Sequence, residues 1–214
     1  MKTDELVDLL AMQAQPVPRN AASRRVAIAL LAALPLSFAF MLAEYGLRPG
    51  LLDSLLHQPM ALLKLLVPAA VAAGGFLAVE RLARPGVAVR GAWAAMVLPV
   101  LLVWILAVFV WLQAAPADRP ELLWGRTWRT CAWSISAMAL PVFVATLLAL
   151  RSLAPTRPVA AGAAAGALAS GAGAAVYALH CPELTAPFLA VWYVLGMAIP
   201  VIAGALLGPR LLRW

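Results

Sequence analysis

The sequence predicts an all-α integral membrane bundle of six transmembrane helices. Hydrophobic residues make up 64% of the 214 residues and charged residues only 12%, whereas a soluble domain is about half apolar and a quarter charged. The apolar residues come in blocks of about 20, the length with which an α-helix crosses a hydrocarbon core roughly 30 Å thick. Charged and proline-rich turns separate these blocks, so we expect short loops and closely packed helices.

The six apolar blocks define the predicted spans. They cover residues 26–47, 60–80, 91–113, 128–150, 158–179 and 186–207. The first block exceeds the roughly 7 to 15 residues of a signal-peptide core, and no small-residue cleavage site follows it, so we expect a retained helix. The chain then divides into a short N-terminal segment, 1–25, and a transmembrane domain, 26–214.

The distribution of lysine and arginine predicts the orientation, because cytoplasmic loops carry the excess of these residues. With six spans, the N-terminus, loops two and four and the C-terminus share one side. That side holds eleven of the sixteen basic residues: Lys2, Arg19, Arg24, Arg25, Arg81, Arg84, Arg90, Arg151, Arg157, Arg210 and Arg213. Both termini are therefore predicted to be cytoplasmic, in a multi-pass membrane protein. The net charge of +7 then reflects topology and anionic lipid, and it does not indicate nucleic-acid binding.

All cysteines and histidines fall on the predicted outer side. Cys131 lies at the outer end of the fourth span, Cys181 and His180 lie in the fifth loop, and His57 lies in the first loop. Three interpretations stay open at this point. The cysteines could form a structural disulfide, or act as a thiol sensor, or join the two histidines as ligands of zinc or another soft divalent metal ion.

Ionisable residues are sparse inside the predicted spans. Glu44, Lys64 and Glu80 lie within one or two turns of an interface, and we interpret them as interface anchors whose charged heads reach water. A proton relay or transport path usually has an acid or base near the middle of a span. The sequence also lacks the motifs of intramembrane or hydrolytic enzymes, so we expect a protein that is not an enzyme.

The fifth span consists almost entirely of small residues. Gly162 and Gly166 form a G-x-x-x-G pattern that Ser170 continues at the next four-residue step. Such a surface lets another helix approach closely. It predicts close packing, either inside the bundle or in a dimer.

The N-terminal segment predicts a short acidic amphipathic helix. Thr3 can cap it, Asp4 and Glu5 suit its first turn, and an apolar stripe follows at helical spacing. A helix of about three turns is unstable alone in water, so it is expected to fold on a partner with a basic-rimmed groove. The predicted contact residues are Asp4, Glu5, Leu6, Asp8, Leu9 and Leu10.

Several stretches together resemble one family. They are "MKTDELVDLLA", "PTRP", "VYALHCPE", "VWYVLGM" and the terminal "LGPRLLRW". They resemble the NrsF-type family of bacterial membrane anti-sigma factors, and the resemblance covers essentially the whole chain. It implies a protein that holds an extracytoplasmic-function (ECF) sigma factor at the inner membrane until heavy metal or redox stress releases it. It further implies that the outward pair Cys131 and Cys181 senses the signal.

Two other functions compete with this interpretation. A small metal or solute transporter would use the outward cysteines and histidines as a substrate mouth, although the absence of polar residues in midspan disfavours it. A membrane thiol redox enzyme would usually need a second cysteine pair or a C-x-x-C motif. A structural helper of a larger complex also stays open.

Overall fold

The computed structural model describes residues 3–13, 18, 20–84 and 86–213. In these ranges the regular structure is helical and contains no strand. The helices are α1 (Thr3–Gln13), α2 (Ala21–Glu44), α3 (Leu51–His57), α4 (Pro59–Leu82), α5 (Arg90–Gln113), α6 (Arg119–Trp124), α7 (Trp128–Arg151), α8 (Pro158–Ala178) and α9 (Ala186–Leu211). Helix α9 contains a π-helical segment at Leu189–Tyr193.

Within the described ranges, six helices are long and apolar enough to cross a membrane, as the sequence predicts. They are α2, α4, α5, α7, α8 and α9, with α6 running into α7 in the fourth span. With α6 included, the fourth span starts at Arg119 and not at residue 128. Helix α2 starts at Ala21 and not at residue 26. Its charged first turns remain helical because the Arg25 guanidinium donates to the hydroxyl (2.9 Å) and carbonyl (3.2 Å) of Ser152. The short helices α3 and α6 lie in segments that we predicted as turns.

The loops gather at two opposite ends of the bundle. At one end, the loops α2–α4, α5–α7 and α8–α9 contact one another. The Arg48 amide donates to the Leu179 carbonyl (3.1 Å), and the Thr185 hydroxyl donates to the Leu122 carbonyl (2.8 Å). We call this the cysteine end. The start of α2 and the loops α4–α5 and α7–α8 form the other end, which we call the N-terminal end.

Helix α8 is the centre of the bundle. It packs against α9, α4 and α7 and, to a smaller extent, against α2. Most of its side chains are buried, whereas α2 and α5 carry large apolar side chains such as Leu31 and Ile105 on the outside. An exposed apolar surface of this kind suits lipid. Helix α8, which is rich in small residues, therefore lies at the centre of the bundle, and helices such as α2 and α5 present apolar side chains on the outside.

The glycines of α8 allow backbone contact with its neighbours. A Cβ atom at Gly162 would collide with the Gly204 carbonyl of α9, and one at Gly166 would collide with the Pro200 carbonyl. The surface that the G-x-x-x-G pattern predicts thus lies inside the bundle against α9. The buried Ser170 hydroxyl donates to the Ala167 carbonyl of its own helix (3.3 Å).

This contact predicts that one added methyl group destabilises the bundle. Gly162→Ala should lower the free energy of unfolding by about 1 to 3 kcal/mol, because α8 and α9 must separate to accommodate the Cβ atom. The measurement is thermal unfolding of the purified protein in detergent. Gly91→Ala is the matched control, since a Cβ atom there meets only the Arg81 guanidinium at 3.5 Å. Equal unfolding temperatures for both variants would contradict the packing argument.

Candidate functional site

The two cysteines lie side by side at the cysteine end. Cys131 is in the first turn of α7, where its amide donates to the Thr127 carbonyl (3.0 Å). Cys181 follows α8, and its amide donates to the Tyr177 carbonyl (3.0 Å). Both are free thiols that are fully buried, and Thr127 contacts each of them, because its carbonyl accepts from the Cys131 amide and its hydroxyl lies 3.9 Å from Cys181 Sγ. The fold therefore brings together two sulfurs that are 50 residues apart in the sequence.

Lys64 is part of this site, and its interpretation as an interface anchor is wrong. Its side chain is only 1% exposed. The Nζ atom donates to the carbonyls of Cys181 and Glu183, each at 2.7 Å, and lies 5.2 Å from the centroid of the Tyr193 ring. The turn after α8 presents carbonyls that point into the bundle, and a buried carbonyl needs a donor. Lys64 supplies that donor, so its head does not reach water.

Glu183 fixes the same turn to the start of α7. Its carboxylate accepts hydrogen bonds from the amides of Arg126 (2.7 Å) and Thr127 (3.3 Å) and from the Thr127 hydroxyl (3.5 Å). Helix α7 has no acidic residue in its first turn and no side-chain cap of its own. A carboxylate at this position satisfies free amides and favours the positive end of the helix dipole. Residues 181–183 are thereby held to α4 and to α7.

Glycine is required beside this carboxylate. Gly125 has φ of +49°, in the region that favours glycine, and a Cβ atom there would lie 2.6 Å from Glu183 Oε2. The sharp turn between α6 and α7 thus leaves the space that the Glu183 carboxylate occupies. Close by, the Thr127 hydroxyl lies 3.9 Å from Cys181 Sγ.

The surroundings of Cys181 favour its thiolate. The hydrogen bond from the Cys131 thiol, together with the charge and hydrogen bond of Lys64, lowers the pKa of the Cys181 thiol, although burial opposes this effect. A thiolate is the form that binds soft metals and reacts with oxidants. The pair therefore has the chemistry of a metal ligand or of a disulfide-forming dithiol.

The predicted four-ligand metal site is not assembled. His57 is exposed on α3, where its Nδ1 lies 3.0 Å from Asp53 Oδ1. His180 instead faces the first loop, with Nδ1 3.2 Å from the Gly46 carbonyl and its ring packed on Tyr45. Among the described residues, no three His, Cys, Asp or Glu side chains are grouped to hold a metal ion. In this arrangement the histidines point to other partners, and the two thiols are the candidate ligands that the structure places together.

Residues of the predicted partner-binding helix lie on α1. The side chains of Asp4, Glu5, Leu6 and Asp8 are exposed. The side chains of Leu9 and Leu10 lie outside the described ones. Helix α1 ends at Gln13, and α2 begins at Ala21 in the N-terminal end of the bundle.

The sequence analysis missed Lys64 and Glu183 as members of the site. A lone lysine inside an apolar block looks the same in the sequence whether its ammonium group reaches water or a buried carbonyl. For Glu183 a signal existed, because it follows Cys181 by two residues in the polar stretch "HCPE". What the sequence lacks is the position of that stretch over the start of α7.

Removing the charge of Glu183 should loosen the cysteine end. Glu183→Gln keeps the size of the side chain but weakens its hydrogen bonds to the amides of Arg126 and Thr127, which directly precede α7, at a cost of about 1 kcal/mol. We expect faster amide hydrogen exchange in residues 125–131 and faster labelling of Cys181 by a maleimide. Glu121→Gln, a neutralisation of an exposed acid on α6, is the matched control and should leave both rates unchanged. Identical behaviour of the two variants would contradict the capping role.

Comparisons with known proteins identify the family. The family model "NrsF: Negative regulator of sigma F" matches residues 10–214. "Probable anti-sigma-F factor NrsF" of Azospira oryzae is 44% identical over 214 residues, and "Anti-sigma-F factor NrsF" of Caulobacter vibrioides is 38% identical over 222 residues. Each alignment covers 100% of both chains. No solved structure matches the chain significantly. This chain therefore belongs to the NrsF family of negative regulators of sigma F.

Proposed function

We propose that this protein is a membrane-bound anti-sigma factor that sequesters an ECF-type sigma factor and releases it when Cys131 and Cys181 sense heavy metal or oxidant. It is a regulator and not an enzyme. The proposal places both termini in the cytoplasm of a bacterial cell and the cysteine end on the outer side of the inner membrane. The observation that carries it is the buried thiol pair, held between α7 and the turn after α8.

The thiols have two ways to respond. An oxidant can take two electrons and two protons from the pair and leave a disulfide, in which the sulfurs are about 2.05 Å apart. A soft divalent metal ion can instead bind both sulfurs as thiolates and displace their protons. Either product holds the sulfurs at a new distance. The Cys181 carbonyl accepts a hydrogen bond from Lys64. A shift of the Cys181 sulfur would therefore also displace the turn after α8 and its contact with α4.

Helix α8 offers a route to the opposite end. It begins at Pro158 in the N-terminal end and reaches Ala178, three residues before Cys181. Its backbone touches α9 at Gly162 and Gly166, so movement at one end changes packing along the helix. Packed interfaces of this kind switch between discrete arrangements more readily than they deform gradually. A signal at the thiols must favour one arrangement over another for the sigma factor to be released.

Helix α1 is the proposed sigma-binding element. It has 11 residues, with Asp4 and Glu5 in its first turn and no basic residue in its last. A helix of this length gains stability by packing on a partner. Leu6 and Val7 are 42% and 57% exposed, which leaves apolar surface for such packing. The acidic residues favour a sigma factor with a basic rim around its groove.

Reversing charge on α1 should reduce sigma binding. We expect the double substitution Asp4→Lys and Asp8→Lys to weaken co-purification of the host sigma factor by about tenfold, equivalent to roughly 1.4 kcal/mol. Deletion of residues 2–15 should abolish it. Asp53→Lys is the matched control, since Asp53 is an exposed acid at the cysteine end. Undiminished binding after the deletion would overturn the assignment of α1.

Replacing either cysteine should block release without affecting binding. Cys131→Ser and Cys181→Ser are expected to co-purify with the sigma factor as wild type does. A reporter driven by that sigma factor should stay silent in cells treated with Cd²⁺ or with a thiol oxidant. His57→Asn is the control and should respond as wild type, because His57 stands apart from the thiols.

The two treatments also separate the two chemistries. A response to Cd²⁺ under reducing conditions, where no disulfide forms, would assign the switch to a metal thiolate. Full induction in both cysteine variants would end the sensing proposal, while the result for α1 would stand independently.

A further inference from the structure

A polar cavity lies at the N-terminal end of the bundle. It has a volume of about 380 Å³ and is formed by the loops α4–α5 and α7–α8. Four arginines line it, together with Thr156 of the α7–α8 loop. They are Arg81, Arg84, Arg90 and Arg157. None of the lining residues that the structure describes is acidic.

Hydrogen bonds organise part of this arginine cluster. The Arg81 guanidinium donates to the Ala88 carbonyl (3.2 Å), which closes the loop α4–α5 around the cavity. Arg84 pairs with Glu80 at 2.8 Å. No ion pair to a described carboxylate involves Arg90 or Arg157, and both residues are exposed. The cavity therefore retains a positive charge that the rest of the described chain does not neutralise.

Two helix starts reinforce this charge. Helix α5 begins at Arg90 and helix α8 begins at Pro158, and neither N-cap makes a side-chain hydrogen bond. Both N-cap residues, Val89 and Arg157, line the cavity. The first amides of a helix are unpaired within the helix and carry partial positive charge, which attracts phosphate groups. The starts of α5 and α8 thus adjoin the same cavity as the arginine side chains.

We propose that this arginine pocket binds a phosphate group, which an anionic phospholipid presents as its head group. The guanidinium group matches phosphate geometry through paired hydrogen bonds. The pocket lies at the ends of candidate spanning helices, and the ends of spanning helices are where lipid head groups are found. A general excess of arginine would orient the protein without forming a concave site. The convergence of four arginines on one cavity is the feature that points to a ligand.

The test measures thermal unfolding of the full-length protein in a neutral detergent. The probes are dioleoylphosphatidylglycerol, dioleoylphosphatidylcholine and inorganic phosphate, each at constant ionic strength. We expect phosphatidylglycerol to raise the unfolding temperature of wild type by several degrees more than phosphatidylcholine does. Arg90→Gln and Arg157→Gln should lose at least half of that difference.

Two further variants serve as controls. Arg151→Gln removes an exposed arginine that lies outside the pocket and should behave as wild type. Arg157→Lys keeps the charge but loses the paired geometry, and it should retain part of the shift even if the glutamine variant folds poorly. A shift with inorganic phosphate alone that the pocket variants lose would uphold the site and assign it a soluble ligand. Equal shifts in all variants, or no shift with either anionic probe, would overturn the proposal.

Discussion

Burial of the Lys64 head group is the interaction on which the cysteine end depends. Removing an ammonium group from water costs several kcal/mol unless its donors are satisfied. Two donors reach the carbonyls of Cys181 and Glu183, and the face of the Tyr193 ring lies close to the charge. These partners come from the turn after α8 and from α9, so the charge can be buried only when three helices are assembled. The turn after α8 can therefore hold this position only when the bundle is packed around Lys64.

The turn after α8 also determines the environment of the thiols. Cys181 can approach Cys131 because Glu183, two residues further on, caps the helix that carries Cys131. The same three-residue segment therefore carries a reactive sulfur, a contact to α4 and a contact to α7. A change in the distance between the two sulfurs would therefore strain either the contact of this segment with Lys64 of α4 or the contact of Glu183 with the start of α7.

The sequence predicted the architecture well because the physical signal was simple. Blocks of about 20 apolar residues leave few alternatives to spanning helices, and the pattern Gly162 and Gly166 indicated close approach before the partner helix was known. The predictions failed where the answer depended on which loops meet. His180 adjoins Cys181 in the chain, yet its ring contacts the first loop, and Lys64 gave no sign that it would face a turn more than 100 residues away. Sequence adjacency and hydropathy carry no information about such contacts.

The two ends of the bundle differ in their chemistry, and helix α8 connects them. At the cysteine end, the Lys64 side chain and both cysteines are buried. At the N-terminal end, arginines remain exposed around a cavity beside the starts of α5 and α8. Helix α8 joins both: it begins directly after Arg157 of the pocket, ends three residues before Cys181, and makes close backbone contacts with α9 in between. Anything bound at either end that prefers one position of α8 must therefore influence the other end, and linkage requires that influence to be mutual.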